Sequence, residues 1–253
     1  MQPDSETASI HPSRLVVTQR ICLWTVPVIG AILAAAFVAF PGFFPPMSPE
    51  MTAEEVAAFY REHASQIQFS MVTFNLFGVM LIPFSAVIVI QMKRMATPSQ
   101  VLAYCYLTAA ASGATVFALA DLFWLLAAFR PARDPELIML LNDMAWIIFI
   151  APVGMFVVQN ICLALAVFLD ERDRPVFPRW VAPFSLLVGA ALTPAAGAAV
   201  FTTGPLAWNG SISFWMRLIA LGIYIAVMFF VARSAITRQA EEEAARTQVE
   251  LAL

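Results

Sequence analysis

The chain has 253 residues, 61% of them hydrophobic and 12% charged, against roughly 45–50% and about 25% in a soluble domain. That excludes a soluble globular protein. With 14 basic against 17 acidic residues and a net charge of -3, there is no cationic surface to neutralise phosphates, and no nucleic-acid partner is expected.

Residues 1–20 are polar without a periodic apolar pattern and are expected to form a disordered cytoplasmic arm. Crossing roughly 30 Å of hydrocarbon takes about 20 mostly apolar residues, and the sequence predicts spans at Ile21–Phe40, Phe69–Met92, Val101–Phe129, Leu137–Leu169, Trp180–Thr202 and Ile212–Ala232. Runs this long and unalternating are not barrel strands, so the fold class is all-α, a polytopic bundle of six transmembrane helices over 21–237. The stretch Ile21–Ile32 followed by Ala34, Ala35 and Ala36 also fits a cleaved signal peptide. The apolar run continues through Phe37, Val38 and Phe40, which favours a retained span.

Segment 41–68 is the sizeable external one. Thr52 and Glu55 have capping-box spacing, and Val56, Phe59, Tyr60, His63 and Ile67 recur on one helical side. A short amphipathic helix on the outer membrane face is expected, either a plain connector or a lid with Tyr60 and His63 as its contacts. The connector is the simpler of the two. Residues 238–253 are expected as a solvated cytoplasmic tail that continues the last span as helix, with Glu242 and Arg246 spaced i, i+4.

Cations orient the bundle, because Lys and Arg are retained on the cytoplasmic side. Arg14, Arg20, Lys93, Arg94, Arg172, Arg174, Arg179, Arg233, Arg238 and Arg246 fall on one side, and only Arg61, Arg130 and Arg133 on the other. Both termini are therefore expected in the cytoplasm. Thirteen arginines to one lysine, with abundant Ala and Pro, is GC-rich bacterial usage, so the expected location is a bacterial cytoplasmic membrane. Cys22, Cys105 and Cys162 form an odd, scattered set with no CxxC and no neighbouring histidine, which predicts free thiols, no metal site and no cofactor.

A charge inside the bilayer costs about 2.5–3.5 kcal/mol, so intramembrane polar residues are candidate functional positions. Asp121 lies nine residues before Arg130, about 13 Å along the helix, in the outer half of the third span. Arg217 lies sixteen residues before Arg233, about 24 Å from the inner end, with Asp121 and Asp143 as its expected partners. In the fourth span, Asn142 and Asp143 stand in the outer layer and Asn160 near mid-depth, with Asn142 and Asn160 five turns apart on one face. Adding Asn75 of the second span gives an outer-half constellation of Asn75, Asp121, Asn142, Asp143 and Arg217, with Trp124, Trp146 and Trp215 around it. It supports an outward-facing ligand pocket, or else an Asp–Arg ion pair with amide crosslinks between helices. Both place Asp121 beside Arg217.

Pro83, Pro152 and Pro194 lie mid-span and predict kinks, with Pro83 and Pro194 in corresponding spans of the two halves, as in inverted-repeat transporters. Gly189, Thr193 and Gly197 are four apart and predict close packing of the fifth span. No HExxH, GxSxG, Walker A loop, acid-paired GxGxxG or paired intramembrane histidine is present. An intramembrane enzyme using Asp121 or Asp143 as acid or base is the weakest reading, since no nucleophile accompanies them.

The stretches Glu54–Tyr60, Arg174–Trp180 and Gly204–Gly210 resemble segments of an uncharacterised family of bacterial six-helix integral membrane proteins. The resemblance spans most of the chain and implies the fold but no activity. From the residues themselves the expected function is binding or transport of a small amphipathic molecule through the polar pocket. The alternative is a non-catalytic membrane partner or assembly subunit, with homo-oligomerisation open in either case.

Overall fold

A computed structural model describes residues 13–252, and all their regular structure is helical. The helices are α1 (Arg14–Ala39), α2 (Ala53–Phe77), α3 (Ile82–Met92), α4 (Val101–Phe129), α5 (Pro135–Ile150), α6 (Gly154–Phe168), α7 (Val181–Leu192) and α8 (Arg217–Ala252). They combine into six rods long and apolar enough to cross a membrane. Large apolar side chains such as Ile21, Val38, Phe69, Phe129, Leu187 and Phe230 point outward on every rod. An apolar exterior on so many helices is what a hydrocarbon solvent selects. Loops 40–52, 130–134 and 200–210 form the upper end, and 93–100 and 169–180 the lower.

Local chemistry sets the helix starts. Ser13 accepts from the Val16 amide at 3.3 Å and starts α1, so residues 14–20 are helix instead of the expected arm, whose residues 1–12 lie outside the described ones. Thr52 Oγ1 accepts from the Glu55 amide at 3.3 Å while the Glu55 carboxylate accepts from the Thr52 amide at 2.8 Å, the reciprocal capping box. Asp134 caps α5, accepting from the Glu136 amide at 3.0 Å, with Pro135 in the first turn.

Helix interruptions fall at the prolines. A 3-10 turn over Gly78–Leu81 precedes Pro83, a break at Ala151–Val153 contains Pro152, and Thr193–Ala199 tightens to 3-10 at Pro194. Each proline lacks an N–H and crowds the preceding turn. The last rod opens with a π-helical turn, Ser211–Met216, a geometry enriched at functional sites.

Two segments differ from expectation. The amphipathic stretch is no separate interfacial helix, because α2 runs unbroken from Ala53 into the second span. Its apolar side, Val56, Ala57, Tyr60 and Ile67, is buried against the bundle, which offers more apolar contact than an interface would. Residues 238–252 likewise continue α8, and their first turns are docked, not free: Gln239 is buried and Glu242 binds Arg94 at 3.0 Å and Arg172 at 3.4 Å.

That docking belongs to a polar knot at the lower end. Gln91 Nε2 donates to Gln19 Oε1 at 2.5 Å and to Gln239 Oε1 at 3.0 Å, Gln19 Nε2 donates to Gln239 Oε1 at 3.2 Å, and Arg94 donates to Gln91 Oε1 at 2.5 Å. Burial pulls the Arg94 guanidinium below its ordinary pKa, and Glu242 pulls it back. Nearby, Asp170 accepts from the amides of Ala96 at 2.9 Å and Val176 at 3.0 Å, and Arg179 donates to the carbonyls of Val167 and Asp170 where α6 ends. Above the knot lies a lower core around Leu23, Ile88, Tyr106, Leu163, Phe177 and Met228. A separate upper core surrounds Phe43, Tyr60, Phe74, Trp124, Trp146 and Phe149.

Candidate functional site

The upper core is built of rings. Trp124 of α4 meets Trp146 at 5.0 Å between centroids and Phe149 at 5.4 Å, both on α5. Phe40 and Phe43, from the turns between α1 and α2, close on Trp124 at 5.8 and 6.0 Å. Phe43 occupies the middle, packed on Phe37, Trp146, Phe149 and Phe214 at 4.2–5.8 Å and fully buried. Ring pairs in this range attract edge to face, by about 0.5–1.5 kcal/mol beyond their area burial. The loop 204–210 pins this plug from the side: Trp208 Nε1 donates to the Met47 carbonyl at 2.8 Å. The loop can fold that tightly because Gly204 takes φ +78° and Gly210 lies against the Pro205 carbonyl, where a Cβ would come within 2.3 Å of the oxygen.

Among these rings sit polar atoms with no partner. Asp121, one turn before Trp124, is 1% exposed, and neither of its carboxylate oxygens accepts a hydrogen bond. The indole N–H groups of Trp124 and Trp146 also lack acceptors. A lone ionised carboxylate in such surroundings is very costly and demands either a proton or a cation. Unpaired buried polar groups are rare enough that each needs a reason.

Arg217 does not supply that cation. Its Nη2 donates to the Phe149 carbonyl at 2.8 Å, and its guanidinium lies 5.2 and 5.8 Å from the Phe149 and Phe156 ring centroids. Among the described residues the ion pairs within 4.0 Å are His63–Glu62, Arg94–Glu242 and Arg172–Glu242. The expected Asp121–Arg217 pair is therefore absent. The reason lies in the α5–α6 break at Pro152, which leaves carbonyls at the end of α5 without helical donors and at the negative end of its dipole, where a cation is favoured. Arg217 fills that role on the last turn of α5.

The same break separates the asparagines. Asn142 lies before the break and Asn160 after it, and they meet different neighbours. Asn142 Oδ1 accepts from Tyr60 at 3.0 Å, and its amide reaches Asp143 at 3.5 Å. Asn160 packs against α7, where a Cβ at Gly189 would lie 3.4 Å from the Asn160 Cβ, and donates to the Phe156 carbonyl of its own helix at 2.8 Å. Its Oδ1 has no partner. Asn75 and Asp143 are half-buried, and Trp215 points outward.

The lid expectation divides. Tyr60 reaches into the bundle, fully buried on Asn142. His63 stays at the surface, bonded to Gln66 at 3.0 Å and set edge to face against Phe59 at 4.7 Å. The residues that cover the site are Phe40 and Phe43, visible in sequence only as aromatics beside a Pro-Gly turn. Two surface cavities, of about 590 and 420 Å³, run along α1 beside Trp24 and between α7 and the last rod beside Trp215. Neither is lined by Asp121, Trp124, Trp146 or Arg217, and at the upper core, where the pocket is expected, the space is filled by Phe43.

No family model, curated protein or solved structure matches the chain, so the functional reading rests on this geometry.

Proposed function

We propose that the protein is a multi-pass protein of a bacterial cytoplasmic membrane, with both termini cytoplasmic, that binds and carries a small amphipathic molecule in the upper core. The lower end, rich in arginine, is the cytoplasmic end, and the Phe43 plug faces outside. The observation that carries the binding role is the buried Asp121 carboxylate, without a partner, among the rings of Trp124, Trp146 and Phe149. A crosslink that served only to hold helices together would be satisfied, as the glutamine knot is. A ligand or ion accounts for polar atoms held ready in an apolar wall. The helix breaks beside the site, at Pro152 and in the π turn before Arg217, give neighbouring segments places to hinge, as in the interrupted helices of transporters.

The test is a thermal-shift screen of amphipathic solutes on the detergent-purified chain. A true ligand at a hundred times its Kd stabilises by about 2.7 kcal/mol, a shift of several degrees. The shift is expected to vanish in Asp121→Asn. A panel without any Asp121-dependent shift, together with co-purification of a partner at fixed stoichiometry, would instead establish the assembly-subunit reading.

A further inference from the structure

This inference rests on the amphiphile-binding reading and adds the ligand's charge and the ion exchanged for it. Asp121 is 1% exposed and unpartnered at both oxygens. The helices packed against α4 are α2, α3, α5 and α6. Their exposed ionisable groups, Glu54, Glu55, Arg61, Glu62 and Glu136, stay at the upper surface, and α3 has none. Of the rest, Tyr60 is bound to Asn142, His63 to Gln66, Asp143 to Asn142, and Cys162 lies in the lower core. Arg217 is held by the Phe149 carbonyl. Among the described residues no cation lies within 4.0 Å of Asp121 and no donor bonds it, so electroneutrality there is met by a proton or an incoming cation.

Which cation is decided by the walls. Trp124, Trp146 and Phe149 present ring faces and edges, without the oxygen cage that a metal ion requires. Aromatic faces attract alkylammonium-type and other bulky organic cations. Phe40 and Phe43 fill the space against these rings, and to admit a bulky cation the turn that carries them has to swing out as a unit, giving up the Trp208 bond to the Met47 carbonyl but no hydrogen bond inside a helix.

We infer that Asp121 is an exchange site: it holds a proton while Phe43 plugs the upper core, and a lipophilic organic cation entering among Trp124, Trp146 and Phe149 takes that proton's place. The carboxylic acid and the cation give a carboxylate–cation pair and one free proton. Only the O–H bond breaks, and the site is neutral before and after.

The experiment uses the full-length protein in detergent micelles, with tetraphenylphosphonium as the cation and tetraphenylborate as its anion of matched shape. Infrared spectroscopy of the ligand-free protein at neutral pH is expected to show a protonated-carboxyl C=O band that is lost in Asp121→Asn. Tetraphenylphosphonium should release about one proton per cation bound, read with a pH-indicator dye, and bind about tenfold more weakly for each unit of acidification. Tetraphenylborate should bind at least tenfold more weakly and release none. Asp121→Glu should keep the band and the proton release, which separates loss of the acid from loss of folding. Absence of an Asp121-dependent band, phosphonium binding without proton release, or equal binding of the borate each overturns the exchange while leaving amphiphile binding intact. Binding by neither probe nor any panel solute overturns both.

Discussion

The two ends of the bundle bury similar polar residues and treat them in opposite ways. At the lower end Gln19, Gln91 and Gln239 bond one another, and Arg94 and Arg172 close on Glu242. At the upper end Asp121, Trp124 and Trp146 are just as buried and bond nothing. The lower knot is adhesive: it ties the start of α1, the end of α3 and the docked turns of α8, three segments far apart in sequence. The upper layer owes its cohesion to Phe43 and the surrounding rings, and its polar atoms add cost. A satisfied polar cluster such as the glutamine knot helps specify the fold, whereas the unpartnered Asp121 carboxylate is what the proposed ligand would satisfy.

The largest effect is expected at the ring cluster of the upper core. Phe43→Ala removes the centre of the upper core and should cost about 3–5 kcal/mol, read as a drop in Tm. With Cys22, Cys105 and Cys162 replaced, an Asp121→Cys reporter should also gain labelling by a membrane-impermeant thiol reagent once Phe43 is gone. Destabilisation without added labelling would mean that Phe43 is packing and not a plug. Next comes the knot. Gln91→Leu strands Gln19, Gln239 and Arg94, and at about 1–3 kcal/mol per unsatisfied group, partly relieved by water at this end, a net loss of about 2–3 kcal/mol is expected. It should leave ligand binding unchanged.

The sharpest contrast is one of sign. Asp121→Leu replaces an unpartnered buried acid by an apolar group of similar size and should raise stability by about 1–2 kcal/mol while abolishing binding. Gln91→Leu, the same kind of substitution at the other end, should lower it. If both destabilise alike in the same thermal assay, Asp121 has a structural partner after all and the contrast between the two ends collapses.

The six rods were legible because hydrocarbon thickness and backbone hydrogen bonding leave few alternatives, and Asp121 stood out because a charge in lipid is costly, with Trp124 and Trp146 read as its aromatic neighbours. Pairing was not legible. Arg217 was matched to Asp121 by charge and depth, but the carbonyl it holds becomes free only because Pro152 ends α5, a consequence that depth arithmetic does not contain. Nor did the spacing of Asn142 and Asn160 reveal that one meets Tyr60 and the other packs on α7. Gln19, Gln91 and Gln239 were missed because a glutamine near the end of a span looks like any interfacial residue, and only the convergence of three distant segments makes them a cluster. Phe43 was missed for a related reason: an aromatic beside Pro41-Gly42 gives no sign that its loop folds inward.

The smallest effect tests whether the upper half of α2 helps hold the site closed. Tyr60 donates to Asn142 Oδ1 at 3.0 Å, and both residues are buried, so Tyr60→Phe deletes one hydrogen bond and leaves a buried acceptor unpaired at a cost of about 1 kcal/mol. The ring stays, and packing of Val56 and Ile67 is kept. If that bond latches α2 over Asp143 and Trp146, local opening of residues 53–60 should become roughly fivefold more frequent, seen as faster amide hydrogen exchange there and not in the lower turns of α2. Exchange that quickens along the whole of α2 would mark Tyr60 as ordinary core. Exchange confined to the upper turns would show that the site opens at the junction of α2 with the Phe43 loop, leaving the glutamine knot undisturbed.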